Sequence, residues 1–242
     1  MSLLAGKIAI VTGAAGGMGR AIWQALEREG ATVVPVDLAG EGCLHVDVGT
    51  AGGNRQMIDH AVAVHGSVDI LVLNAGVQYM APLAEFPEEQ WDRLMNVMAK
   101  GPFLAIQAAW PLLTDRPGKR VIVTASTSAL GGGPHKVAYT AAKHAVLGVV
   151  RTAALEGGPY GLTVNAVAPG WVHTGMVEGQ LEDQMRYYGG TRETVLAGMA
   201  ADQPGGRFIT PEEIAATVVF LASPAASGIN GVLLPVDLGA SA

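Results

Sequence analysis

The feature that most constrains this chain is the regular alternation of short, largely apolar runs with longer helix-like segments. Seven runs, at 7–12, 32–37, 43–47, 69–74, 120–125, 162–168 and 232–236, are rich in Val, Ile or Leu and stay apolar on successive residues. Strand side chains point alternately to opposite faces, so a run that is apolar throughout is a strand buried on both. Segments 18–29, 54–65, 88–113, 137–156 and 211–222 read as helices. Gly30 and Gly66 follow two of them where a left-handed residue often ends a helix. Thr210 followed by Pro211 marks the start of another. This order predicts one α/β domain over residues 1–242, a doubly wound parallel sheet with right-handed crossovers. Pro35 breaks a local rule, because a proline inside a strand cannot donate to a ladder.

Composition supports a packed domain and excludes several partners. Of the 242 residues, 50% are hydrophobic and 15% charged, enough apolar surface for a large core. The net charge is −6 and no basic run exists, which argues against nucleic acid and anionic membranes. No apolar run approaches the ~18 residues of a spanning helix. The first residues lack the basic start of a signal peptide. One cysteine, Cys43, cannot form an internal disulfide, so a cytoplasmic, reducing setting is expected. Segment 171–208 is the least regular. It contains Tyr187-Tyr188-Gly189-Gly190 and Gly205-Gly206, and is a candidate lid.

The stretch Thr12-Gly13-Ala14-Ala15-Gly16-Gly17-Met18-Gly19 follows the first strand and opens the first helix. Glycines there let backbone approach a pyrophosphate, and the helix start offers free N–H groups. Asp37 ends the second strand, where a carboxylate accepts hydrogen bonds from ribose hydroxyls and repels a 2′-phosphate. Neither Ala15 nor Leu38 supplies a cation to neutralise such a phosphate. The expected cofactor is NAD rather than NADP, with no metal. Tyr139 and Lys143, four residues apart, share one helix face, and Ser126 ends the strand before it. A neighbouring ammonium favours phenolate and lowers a tyrosine pKa. Ser126 would hold a substrate oxygen while Tyr139 exchanges its proton.

Together these pieces resemble the short-chain dehydrogenase/reductase family along essentially the whole chain. The resemblance rests on residues 12–19, Asp47-Val48, Asn74-Ala75-Gly76, Asn96, Ser126, Tyr139, Lys143 and Asn165-Ala166-Val167-Ala168-Pro169-Gly170. It implies a seven-stranded, single-domain Rossmann fold and a homotetramer. It also implies cofactor contacts from Gly13, Gly17, Met18, Gly19, Asp37, Gly76, Pro169, Gly170 and Val172. Asp47 and Val48 would meet the adenine, Asn74 would lie under the cofactor, and Thr174 would meet the carboxamide. Lys143 would hold the nicotinamide ribose beside Tyr139, and Asn96 a water relaying protons to Lys143.

A narrower likeness is to the 3-hydroxybutyrate dehydrogenases of that family. It runs through Asn74-Ala75-Gly76-Val77-Gln78, His135-Lys136-Val137-Ala138-Tyr139, Pro169-Gly170-Trp171-Val172, Val177-Glu178-Gly179-Gln180 and Gln203-Pro204-Gly205-Gly206-Arg207-Phe208. In those enzymes a carboxylate-binding set orients the acid. Gln78, Lys136 and Gln180 match three of its members, and Trp171 lies beside them. Ser128 stands where a histidine is usual, which weakens the clamp and enlarges the pocket. The expected reaction is NAD-dependent hydride transfer involving a short 3-hydroxy acid. Another small alcohol, a polyol or a cyclic ketone is an alternative substrate. A non-catalytic redox sensor is an alternative of another class.

Overall fold

The structure is a computed structural model and describes residues 2–242; Met1, the first residue of the segment tested for a signal peptide, lies outside them. Among the described residues one seven-stranded parallel sheet has the order β3-β2-β1-β4-β5-β6-β7. Its strands are β1 (Ile8–Thr12), β2 (Thr32–Asp37), β3 (Leu44–His45), β4 (Ile70–Leu73), β5 (Arg120–Thr124), β6 (Thr163–Pro169) and β7 (Leu233–Val236). The order reverses between β1 and β4. Side chains from successive residues enter opposite layers, as full burial of the runs requires. In β4, Leu71 and Leu73 pack with one layer, and Ile70 and Val72 with the other.

Helices α2 (Ala51–His65), α4 (Gly101–Leu113) and α5 (Val137–Gly157) cover the first layer; α1 (Gly17–Arg28) and α9 (Pro211–Ala222) cover the second. Gly30, at φ +86°, ends α1 with paired bonds, Ala31 N–H to Leu26 and Gly30 N–H to Glu27. Thr210 and Glu213 cap the start of α9 reciprocally. α2 begins three residues before the expected 54, because the Thr50 side chain accepts from Gly53 N–H and caps it.

Two expectations need correcting. Residues 88–113 are not one helix. α3 (Glu88–Met95) passes into a π-helical segment, Asn96–Lys100, and only then into α4. The Gly101 N–H reaches back to the Asn96 carbonyl. The apolar pattern runs straight through this segment, so nothing in the periodicity marks it. Segment 171–208 is mostly helical, forming α6 (Gly175–Glu178), α7 (Leu181–Tyr188) and α8 (Arg192–Ala201). Val177, Leu181 and Met199 give it a small core of its own, closed by Trp171 and Phe208. Gly189-Gly190 marks the turn between α7 and α8, and Gly205-Gly206 a turn after α8.

Pro35 does lie inside β2, paired with Val11. Thr32 and Val36 bond toward β1, whereas Asp37 bonds toward β3. Pro35 shares the parity of Asp37, so its missing N–H faces the β3 side. There pairing begins only at Val36, and the ladder loses nothing. Pro235 in edge strand β7 is placed similarly: Val232 and Val236 bond toward β6, and Pro235 turns outward.

Candidate active site

Two adjoining cavities lie at the carboxyl ends of the central strands, where the sheet order reverses and such folds take ligands. The first runs past Gly13, Gly17, Met18, Gly19, Asp37, Asp47, Val48, Asn74 and Gly76 to Thr174. The second, of about 280 Å³, continues from Met18, Asn74, Gly76 and Thr174 to Ser126, Tyr139, Lys143, Pro169, Gly170 and Val172. Met18, at the start of α1, lines both.

The glycine loop is shaped for close approach. Gly13 and Gly17 have positive φ, and a side chain at Gly19 would run into the Gly13 carbonyl. Gly16 caps α1 with no side-chain bond, and the first turn carries no acid, so its N–H groups remain free. Asp37 is anchored by Ala15 N–H at 2.9 Å and Leu38 N–H at 2.7 Å while still lining the cavity. Asn74 donates to the Thr12 and Gly13 carbonyls and accepts from the Thr124 hydroxyl. It thereby ties the loop to β5. A dinucleotide fits these residues: backbone donors for phosphates, a carboxylate for ribose hydroxyls, and no side chain in the way.

At the reacting end, Lys143 is buried and donates to the Thr124 carbonyl at 2.7 Å. Burial lowers its pKa to about 8. Its nitrogen lies 5.5 Å from the Tyr139 ring centre. Burial raises the Tyr139 pKa, and the Ser126 hydroxyl pulls the other way. In the protein alone, desolvation is the larger influence on Tyr139, and Ser126 rather than Lys143 opposes it. Ser126 Oγ accepts from Ser128 N–H at 3.1 Å, which leaves its own proton free to donate.

Asn96 is the one expected site residue that the structure does not bring to either cavity. Its side chain accepts from Lys100 at 3.4 Å and its carbonyl is taken by the π turn. The seven expected substrate residues, Gln78, Ser126, Ser128, Lys136, Tyr139, Trp171 and Gln180, all line the second cavity. Lys136 stacks on Trp171, 4.5 Å from the ring centre, and burial lowers its pKa to about 8 against the pull of Asp202. Sequence reasoning missed Asp202, Gln203, Met176 and Ala240, which also line it. Gln203 had a signal, since it lies in a segment of the narrower likeness; it clamps the Trp171 backbone at 3.0 and 3.2 Å. Asp202, just beyond α8, had none.

Comparison with known proteins agrees with this geometry. A family model described as "Enoyl-(Acyl carrier protein) reductase" (adh_short_C2) matches residues 13–241. A D-beta-hydroxybutyrate dehydrogenase of Cupriavidus necator is 35% identical, over 98% of each chain. The ligand-free aldohexose dehydrogenase of Thermoplasma acidophilum superimposes with a TM-score of 0.92 at 31% identity, covering 99% of this chain and 96% of that one. A structure from Beutenbergia cavernae, with a TM-score of 0.88 at 32% identity and 98% and 97% coverage, carries NADP at low occupancy. This chain belongs to the short-chain dehydrogenase/reductase family. It is an oxidoreductase that acts on CH–OH groups with a nicotinamide cofactor, and no described helix is long and apolar enough to cross a membrane.

Proposed function

We propose that this enzyme is an NAD-dependent dehydrogenase of a small hydroxy acid. One observation carries the reading: a cation, Lys136, stands in the catalytic cavity, which is also lined by an amide, Gln78, that has donors to spare. The Oε1 of Gln78 is taken by the Tyr79 N–H at 3.0 Å, so its Nε2 is left to face a ligand. An ammonium and an amide N–H pair suit a carboxylate, whose oxygens only accept. The relative named as a D-beta-hydroxybutyrate dehydrogenase supports the same class.

In this reading Ser126 donates to the substrate oxygen and Tyr139 takes or returns the hydroxyl proton. Lys143 supplies positive charge beneath that proton and holds the ribose. The nicotinamide supplies the hydride acceptor. Preference for NAD rests on Asp37 and on Ala15 and Leu38, neither of which offers a cation. The Gly16-capped start of α1 takes the pyrophosphate, Asp47 and Val48 the adenine, and Thr174 the carboxamide. Segment 171–208 acts as the lid, and the assembly is a cytoplasmic homotetramer, as family likeness suggests.

The test is NADH formation with (R)-3-hydroxybutyrate, its (S)-isomer and longer 3-hydroxy acids. Turnover of one enantiomer, with a KM that rises strongly in Lys136→Ala, is the expected result. Turnover of neutral alcohols alone, indifferent to Lys136→Ala, would discard the acid.

A further inference from the structure

Residues 238–242, which follow β7 and Asp237, turn back beside the catalytic cavity. Asp237 is 6% exposed. One of its carboxylate oxygens accepts from Gly239 N–H at 3.0 Å, and the other from Ser241 N–H at 2.9 Å. Hydrogen bonds to a charged group are the stronger kind. Ala240 N–H to the Asp237 carbonyl at 3.1 Å and Ala242 N–H to the Gly239 carbonyl at 3.2 Å complete the turn. Leu238 sits at φ +54°, a left-handed conformation that disfavours a leucine. Such a residue persists only where its surroundings hold it. Its side chain packs onto the second layer of the core and against Gly205, where an added Cβ would lie 2.9 Å from Leu238 Cδ1.

This turn stands directly behind the site. Gly170 N–H donates to the Val236 carbonyl at 3.1 Å, and a Cβ on Gly170 would lie 3.1 Å from that of Asp237. Gly170 lines the catalytic cavity, and so does Ala240, which the turn carries there. Asp237 does not line it, and both of its oxygens are engaged with backbone. It acts on the cavity through Ala240. The methyl of Ala240 offers neither donor nor charge, so an apolar group is what gains by meeting it.

We propose that residues 238–242 form a fixed wall of the catalytic cavity, which limits the size of the apolar group the substrate carries on that side, and that Asp237 is the positioning residue that holds this wall. The proposal needs only the CH–OH activity of the family. It stands independently of whether the substrate is an acid.

The measurement is kcat/KM over two ladders of four to eight carbons, 3-hydroxy acids and unbranched secondary alcohols, with the intact enzyme and two variants. Asp237→Ala releases the wall. The ratio of kcat/KM for the longest member over the shortest should rise about tenfold, the worth of roughly one methylene admitted to an apolar pocket. For the shortest member KM should rise while kcat holds within about twofold, because a contact common to ground and transition states is lost. Ala240 is exposed, and Ala240→Phe leaves the Asp237 bonds to backbone in place. It narrows the cavity and should lower the same ratio about tenfold. It carries the test alone should Asp237→Ala not fold. A carboxylate that served the fold only would lower Tm and cut the rates on every substrate alike. Equal losses across both ladders, a ratio unmoved in a folded variant, or no turnover of either ladder overturns the proposal. Turnover of alcohols but no acids, with the ratio shifted as expected, discards the hydroxy acid reading and supports this one.

Discussion

The ammonium of Lys143 is held 2.7 Å from the Thr124 carbonyl, with no carboxylate to pair with it. That bond places the charge of α5 against the end of β5. It also leaves a desolvated lysine whose pKa falls to about 8 from 10.5. The phenol of Tyr139 shifts upward. On raising the pH, the lysine therefore loses its proton before the tyrosine.

Activity should follow that order. In Lys136→Ala, which removes the other lysine near 8, kcat/KM for ketone reduction is expected to fall about tenfold per unit above pH ~8. A profile flat to pH 10 would show that the Lys143 charge is not needed. For stability, the depressed lysine costs most below pH 8, where both folded and unfolded chains hold the proton. The cost shrinks between 8 and 10.5, where only the unfolded chain holds it. Lys143→Met should thus keep or raise the Tm at pH 7 while abolishing turnover; a large drop in Tm would contradict this.

Tyr139→Phe removes the proton donor and little volume. Loss of roughly 10²–10⁴ in kcat is expected, with NAD affinity nearly unchanged. Fluorescence titration of the cofactor beside steady-state rates separates the two, and a variant that fails to bind NAD would point to a structural role instead.

On the proposed reading, Asp37 and Leu38 set the choice between NAD and NADP. Asp37→Ser combined with Leu38→Arg replaces a carboxylate by a guanidinium where a 2′-phosphate would lie. The ratio of kcat/KM for NAD over NADP should fall by about two orders of magnitude, roughly the worth of adding one charge-assisted hydrogen bond and removing one repulsion. An unchanged ratio would show that the adenosine ribose binds elsewhere.

Asp69, at the other end of the sheet, bears on stability alone. Burial by itself would raise its pKa. The Ile8 N–H at 2.9 Å, with Lys119 and Arg116, outweighs burial and holds the pKa below the usual value. Its contribution is present above pH ~4 and is lost as pH falls through the depressed value. Asp69→Ala leaves the buried Lys119 with only the Val68 carbonyl and Asp115 at 3.5 Å, and should cost about 3 kcal/mol at pH 7, the lower end for a broken buried pair. The difference from wild type should narrow toward pH 2–3. Urea titrations at the two pH values measure both.

Much of this molecule was legible in its residues. Fully apolar runs announce a sheet covered on both faces, and Gly13, Asp37, Ser126, Tyr139 and Lys143 announce chemistry through order and spacing. The π turn was not legible, because it arises from a tertiary approach. A Cβ at Gly101 would lie 2.7 Å from the Val48 carbonyl, and no local pattern encodes that proximity. The state of the two cavity amides was equally hidden. The sequence shows two glutamines, Gln78 and Gln180, as equivalent amides; only their neighbours leave Gln78 with a free Nε2 and commit that of Gln180 to the Met176 carbonyl. Asp202 reaches the cavity through the course of α8, which the glycine-rich composition of the segment had masked.

The prolines at the sheet's margins also bear on how copies of this chain can meet. Along the open side of β7 the outward positions are Leu233 and Pro235, so Leu233 alone offers an outward N–H within the strand. A strand from a second molecule would find its ladder interrupted after one rung. The sheet is thereby kept from growing across that boundary, and any association there must be built from side chains, which can be selective, rather than from backbone, which pairs with anything.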